Sequence, residues 1–277
     1  MAERFGLMVP GAKTSSPPID IVSPYNRRKI GRVATADAAV AEQALNTAYG
    51  LYRDRDAWLP AWKRVDILER TVEIMTKRAG YLAIESAREG GKPLVDSQHE
   101  VARAIDGVKL CIEALRTQAG EEIPMGISRS SVHRLAFTSL EPIGVVTAVS
   151  AFNHPLNLII HQVCPAVAVG CPVLVKPSED TPLSCMRFVK ILREAGLPDE
   201  WCQPIVTAEI EVSQKIVTDP RVGFFSFIGS AGVGWMLRSK LAPGTRCALE
   251  HGGVAPVIMA ADADVKRALP LLAKGGF

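Results

Sequence analysis

Residues 141–182, EPIGVVTAVSAFNHPLNLIIHQVCPAVAVGCPVLVKPSEDTP, restrict the possible folds more than any other part of the chain. Residues 143–149 and 172–176 are short apolar runs rich in β-branched side chains, without the alternation of a half-exposed strand, so both read as strands buried on two faces. Pro155 is tolerated in a first helical turn, and after it Leu156, Ile159, Ile160 and Val163 recur at helical spacing as far as Gly170. Strand, helix and strand make a βαβ unit. Its polar residues are concentrated where both strands end, and ligands of open α/β sheets bind at those carboxyl ends.

Two polar turns follow the strands, Ala151-Phe152-Asn153-His154-Pro155 and Lys176-Pro177-Ser178-Glu179-Asp180-Thr181-Pro182. Downstream, the strand expected at 221–228 leads into Gly229-Ser230-Ala231-Gly232-Val233-Gly234, and then Leu249-Glu250-His251-Gly252-Gly253. Glycines let backbone N–H groups approach a phosphate, and a helix amino terminus favours negative charge; the helix here is expected over 235–241. Together these motifs resemble the cofactor domain of the NAD(P)-dependent aldehyde dehydrogenase superfamily, with its Pro-Trp-Asn-x-Pro turn, its Lys-Pro-Ser-Glu-x-Thr-Pro turn, its Gly-Ser-x-x-x-Gly segment and its Glu-Leu-Gly-Gly. Phe152 stands where that family has tryptophan, and His251 where it has leucine.

The resemblance implies an α/β fold, a Rossmann-like, mainly parallel sheet flanked by helices. It assigns cofactor contacts to Ala151, Phe152, Lys176, Ser178, Glu179, Gly229, Ser230, Val233 and Gly234. A carboxylate at Glu179 that chelates the ribose hydroxyls would repel a 2′-phosphate, which favours NAD while NADP stays possible. Asn153 matches the side-chain amide that donates to the oxyanion, and Glu250 the general base for thioester hydrolysis, a role that calls for a partly desolvated carboxylate. The activity implied is oxidation of an aldehyde to an acid through a cysteine thiohemiacetal and thioester, with a small-molecule aldehyde as partner.

Composition closes off other classes. With 48% hydrophobic and 22% charged residues in 277, the chain can build a large core, and disorder is not expected. A net charge of only +3, without a basic cluster, argues against nucleic acid. The amino end is too polar for a signal peptide, and no run approaches the roughly 18 apolar residues of a membrane span, so a soluble cytoplasmic protein is expected. The cysteines at 111, 164, 171, 185, 202 and 247 show neither CxxC nor zinc spacing, so they read as buried reduced thiols and no metal site is expected.

In chain order, residues 1–18 read as a loosely held arm, and 19–120 with 141–253 as the NAD(P)-binding domain, opened by a hairpin over 19–33. Thr35 is the expected cap of the first helix, and the helices up to Gly120 read as scaffolding. Residues 121–140 resemble the family's oligomerisation arm; a strand over 131–138 would there offer an unpaired edge, and a homo-oligomer is implied. Residues 254–277 resemble the start of a catalytic domain, with a strand at 256–259 and a helix from Asp264. The family's nucleophile lies in a Gly-Gln-x-Cys turn that would fall just past Phe277, so the chain is expected to be a truncated form lacking that cysteine and inactive alone. A non-catalytic nucleotide-binding or regulatory module, or a remnant without ligand, stands as the alternative.

Overall fold

The computed structural model describes residues 2–276. A small sheet comes first, from β1 (Glu3–Phe5), β2 (Ile19–Val22) and β3 (Lys29–Val33), in which β3 pairs antiparallel with β2 and parallel with β1. The expected hairpin is therefore present. The leading segment is not loose, however: β1 is hydrogen-bonded into this sheet, and Phe5, Met8 and Val9 are buried. Apolar side chains at those positions find cover on the helical wall, which repays the entropy of ordering the segment.

Four helices follow, α1 (Ala38–Arg53), α2 (Ala61–Lys77), α3 (Ala79–Gly90) and α4 (Leu94–Thr117). α1 is capped by Asp37, whose carboxylate accepts from the N–H groups of Ala39 and Val40; Thr35, the expected cap, instead donates its hydroxyl to the carbonyl of Pro17. Between α3 and α4, Gly91 adopts a left-handed φ of +64°, and a Cβ there would meet Pro24 Cγ at 2.5 Å. Only glycine fits both demands.

The arm beyond α4 pairs β4 (Glu122–Ile123) with β5 (Ala136–Phe137), antiparallel. Its strand is far shorter than the one expected over 131–138, because Ser128 and Ser131 close a turn by hydrogen bonding to each other. Ile127, Leu135 and Phe137 stay exposed.

The central sheet contains β6 (Val145–Val149), β7 (Val173–Lys176), β8 (Cys202–Pro204), β9 (Val222–Gly229) and β10 (Arg246–His251) in the order β10-β9-β6-β7-β8, every pairing parallel. From β6 the chain steps outward through α5 (Asn157–Ala168) and α6 (Pro182–Glu194) to β8. It then returns through α7 (Ile210–Thr218) to β9 beside β6, and through α8 (Ala231–Arg238) to β10. This reversal makes the gap between β6 and β9 the topological switch point. Period-two alternation splits the strands between two cores: Val146, Ala148, Val173 and Val175 face α2 to α6, whereas Val145, Leu174, Phe225 and Phe227 face α1, α7 and α8.

Residues 252–264 hold no regular strand, so the one expected at 256–259 is absent; among the described residues no strand pairs with this segment to complete the backbone hydrogen bonds a strand needs. α9 (Val265–Gly276) forms as expected after Asp264, largely exposed. Among the described residues no helix is long and apolar enough to cross a membrane.

Glu89 of α3 ties the wall to the sheet. It is buried, and its carboxylate accepts from the N–H groups of Leu183 and Ser184 and from the Ser184 hydroxyl at 2.6 Å, so it caps α6 from outside. Burial pushes its pKa up to about 7, held back by the Ser184 hydroxyl and the Arg187 charge. The folded chain then keeps this proton more tightly than the unfolded chain between about 4.5 and about 7, so the contribution of Glu89 to stability falls as pH rises through that window. Urea unfolding at several pH values should find that slope in the wild type and a flatter profile in Glu89→Gln. Glu89→Ala should cost about 3–5 kcal/mol, as expected for removing one partner of a buried charged network.

Candidate functional site

Four parallel strands end on one edge of the sheet, and their register aligns those ends: Val149 lies opposite Lys176 and Phe227, and His251 opposite Gly229. The turn after β6, the start of α8 and the end of β10 consequently surround a single cleft of about 1250 Å³, lined by Ala151, Phe152, Asn153, Gly229, Ser230 and Glu250 among others. Its floor is the face of β9 and β10 carrying Phe224, Ser226, Ile228 and Ala248, and its far wall is α5 with Leu110 and Cys111 of α4. The turn after β7 stands beside it. There the N–H of Ser150 donates to the Lys176 carbonyl at 3.0 Å, and the Thr181 hydroxyl to the Phe152 carbonyl at 3.4 Å.

Asn153 and Phe152 are exposed to the cleft, Phe152 at 60%. Lys176 is buried at the tip of β7, and its ammonium is paired with the carboxylate of Glu179, so the two residues assigned to one ribose hold each other. Ser178 accepts through its hydroxyl from the Asp180 N–H at 3.3 Å.

The glycine run is not a loop leading to a helix at 235–241, because α8 begins at Ala231, directly after β9. Val233 and Gly234 thus belong to the first turns of the helix, Val233 exposed and Gly234 buried. Ser230, at the N-cap position, makes no side-chain cap bond, which leaves the leading N–H groups of α8 free for an anionic ligand. Small residues in this first turn serve packing as well as phosphate approach. A Cβ on Gly234 would lie 2.3 Å from His251 Nε2, and the His251 ring meets Trp235 edge-on at 5.2 Å between centroids.

Glu250 lines the cleft as expected, but it is exposed on the edge strand rather than desolvated, since no element among the described residues covers that side of β10. Cys247 and Leu249 pack on the opposite face of β10, with the core under α7 and α8. Burial pushes the Cys111 thiol up to about 11 and raises Cys171 as well, so the two cysteines that line the cleft are held as thiols.

Sequence reasoning missed several contributors. Gln162 of α5 donates through its amide to the carbonyls of Val149 at 3.1 Å and Ser226 at 3.0 Å, clamping β6 and β9 at the switch point. His161 lines the cleft; burial and Arg103 lower its pKa, against the charge of Glu250. The expectation that α3 and α4 are plain scaffolding is also incomplete. Glu89 caps α6, and Glu100 of α4 accepts from the N–H groups of Leu156 at 2.8 Å and Asn157 at 3.0 Å. In the sequence Glu89 directly precedes Gly90-Gly91-Lys92-Pro93 and Glu100 lies seven residues beyond it, and nothing local marks either as a cap.

Comparison with known proteins adds a lineage to this geometry. The profile of the aldehyde dehydrogenase family matches residues 12–277. An aldehyde-dehydrogenase-like protein of Sinorhizobium fredii is 36% identical over 95% of this chain and 51% of its own length. Among solved structures, the glyceraldehyde-3-phosphate dehydrogenase of Methanocaldococcus jannaschii complexed with NADP superposes with a TM-score of 0.85, at 33% identity over 95% of this chain and 57% of that one. The NAD-dependent aldehyde dehydrogenase of Sinorhizobium meliloti gives a TM-score of 0.89, at 28% identity over 99% and 55%. The chain spans about half the length of the proteins it matches.

The contact between Gly234 and His251 can be measured. Gly234→Ala should destabilise the chain by about 1–3 kcal/mol through overpacking. The loss should shrink in a His251→Ala background, giving a coupling of about 0.5 kcal/mol or more in a double-mutant cycle of urea unfolding.

Proposed function

Because the chain belongs to the aldehyde dehydrogenase family, we propose that it is the cofactor-binding portion of an enzyme that oxidises an aldehyde to a carboxylic acid with NAD(P). The observation that carries this reading is the convergence of the Asn153 turn, the uncapped start of α8 and Glu250 on one cleft at the carboxyl edge of a parallel sheet. A dinucleotide fits the residues present. Free N–H groups and a helix dipole at Ser230 and Ala231 suit a pyrophosphate, and Gly232 leaves open space beside them. Lys176 and Glu179, at the neighbouring strand end, offer a donor and an acceptor to the hydroxyls of a ribose once their mutual bond opens. The volume and the apolar floor of the cleft leave room beside Asn153 and Glu250 for the other half of the cofactor.

When bound, the nicotinamide accepts hydride from the carbon being oxidised. The Asn153 amide would donate to the oxygen of that carbon as it gains charge, which helps most where water is excluded. Glu250 would take the proton of a hydrolytic water. Glu250 is exposed here, so the partial desolvation that role calls for would have to come from whatever covers the open face of β9 and β10.

Two expected outcomes test the reading. Titration calorimetry should find NAD bound more tightly than NADP, because Glu179 repels a 2′-phosphate, and Glu179→Gln should narrow the gap. Tighter binding of NADP by the wild type would refute the ribose argument. Incubated with NAD and short aldehydes, the chain alone should form no NADH, since Cys111 and Cys171 are protonated and Cys247 lies on the face of β10 away from Glu250. Aldehyde-dependent NADH that disappears on replacing one of these cysteines would reveal a nucleophile within the chain.

A further inference from the structure

Helix α5 carries the cleft wall, and it begins directly behind the Asn153 turn, yet no residue of the turn caps it. Leu156 occupies the N-cap position and makes no side-chain cap bond. Leu156 and Asn157 are both buried, so their N–H groups cannot turn to water. The acceptor comes from 56 residues earlier in the chain. Oε1 of Glu100, a carboxylate with no exposed side-chain surface, receives the N–H groups of Leu156 at 2.8 Å and Asn157 at 3.0 Å.

A buried carboxylate needs more than a helix terminus to hold it. Its Oε2 accepts from the Ser86 hydroxyl at 2.9 Å and forms an ion pair with Lys92, whose own side chain is only 14% exposed. The Lys92 ammonium then spends its other donors on the turn. It donates to the main-chain carbonyl of Asn153 at 3.0 Å and stands 3.5 Å from Nδ1 of His154. One ion pair, its anion buried and its cation partly so, therefore grips the turn with its cation and the helix behind it with its anion.

We propose that Lys92 and Glu100 are positioning residues, a brace from the α3–α4 junction that fixes the main chain from which the Asn153 side chain meets the cleft. The chemical purpose of the brace rests on the reading of Asn153 as oxyanion donor; its geometry does not. Neither residue reaches a reacting group, and both act through residues 153–157. A brace is useful here because an amide donor lowers a barrier only when it is already aimed where charge develops, and an exposed turn has no packing of its own to aim it.

His154 reports on the cation. Burial lowers its pKa, and the charges of Lys92 and Arg103 lower it further, against Glu100 and Asp96, which raise it. Removing the Lys92 charge should therefore let His154 protonate at higher pH.

The test uses isotope-labelled full chain and nuclear magnetic resonance, with Lys92→Met, Lys92→Arg and Glu100→Gln. Three readouts are taken: amide exchange at Leu156 and Asn157, exchange at the β7 amides as a global reference, and the titration of the His154 ring. Lys92→Met should speed exchange at Leu156 and Asn157 at least tenfold with β7 unchanged, and should raise the His154 midpoint. Lys92→Arg should restore both. Glu100→Gln should speed exchange at the same two amides. If Glu100→Gln does not fold, the two Lys92 variants, which keep the carboxylate, decide the matter alone. Exchange and titration in Lys92→Met identical to wild type would overturn the proposal, and so would acceleration spread evenly over the sheet. The reading of Asn153 is followed separately through its side-chain amide resonance on adding NAD and an aldehyde. No shift there would count against the oxyanion role while leaving the brace intact.

Discussion

Helix amino termini at a crowded sheet edge must find anions or acceptors, and most of this architecture follows from how that demand is met. The helices after β6, β7 and β9 all start at the same edge, and none of the three is capped by the side chain at its own N-cap position. Glu100 serves α5 and Glu89 serves α6, each a buried carboxylate reaching in from the helical wall. α8 receives no such partner among the described residues. Two positive termini meet carboxylates from within, and the third keeps its leading N–H groups without a side-chain cap among the described residues.

Supplying caps from a distance has consequences for packing. Each glutamate must be desolvated to reach its helix, and each is stabilised by a cation, Lys92 for Glu100 and Arg187 close to Glu89. Arg187 also bonds Glu3 and Glu85, so the amino-terminal strand, α3 and α6 share one partly buried ionic cluster. Such clusters contribute little net stability over an apolar core, but they are costly to break singly and so fix which helix sits where. The amino-terminal segment is ordered for the same reason, with Glu3 in the cluster and Phe5 in the core.

The opposite half of the sheet shows what happens without cover. On the face of β9 and β10 that forms the cleft floor, no helix among the described residues covers β10, and Glu250 is left exposed. On the other face of the same strands, Phe225 and Phe227 are buried beneath α7 and α8, and Leu237 of α8 packs in the same core. His251 closes the end of this second core, where its ring occupies the space that the absent side chain of Gly234 provides.

The sequence by itself determined the parallel sheet and the location of the cleft. Strands buried on both faces need apolar runs, and residues 143–149 and 172–176 supply them; with the run at 221–228 they were legible as strands once the helices between them were seen. Asn153, Lys176, Ser178, Glu179 and Ser230 were singled out through the family resemblance of the motifs that hold them, at the carboxyl ends of those strands. Only the tertiary structure decided who caps α5 and α6, that Lys176 and Glu179 pair with each other, that α8 starts at Ala231, and that Glu250 is exposed. The caps depend on contacts between residues whose local patterns say nothing of one another: Glu100 and Leu156 lie 56 positions apart, and Glu89 and Ser184 lie 95 apart. A local pattern records which face of an element is apolar, whereas the partner of a buried charge is set by the three-dimensional path of the chain.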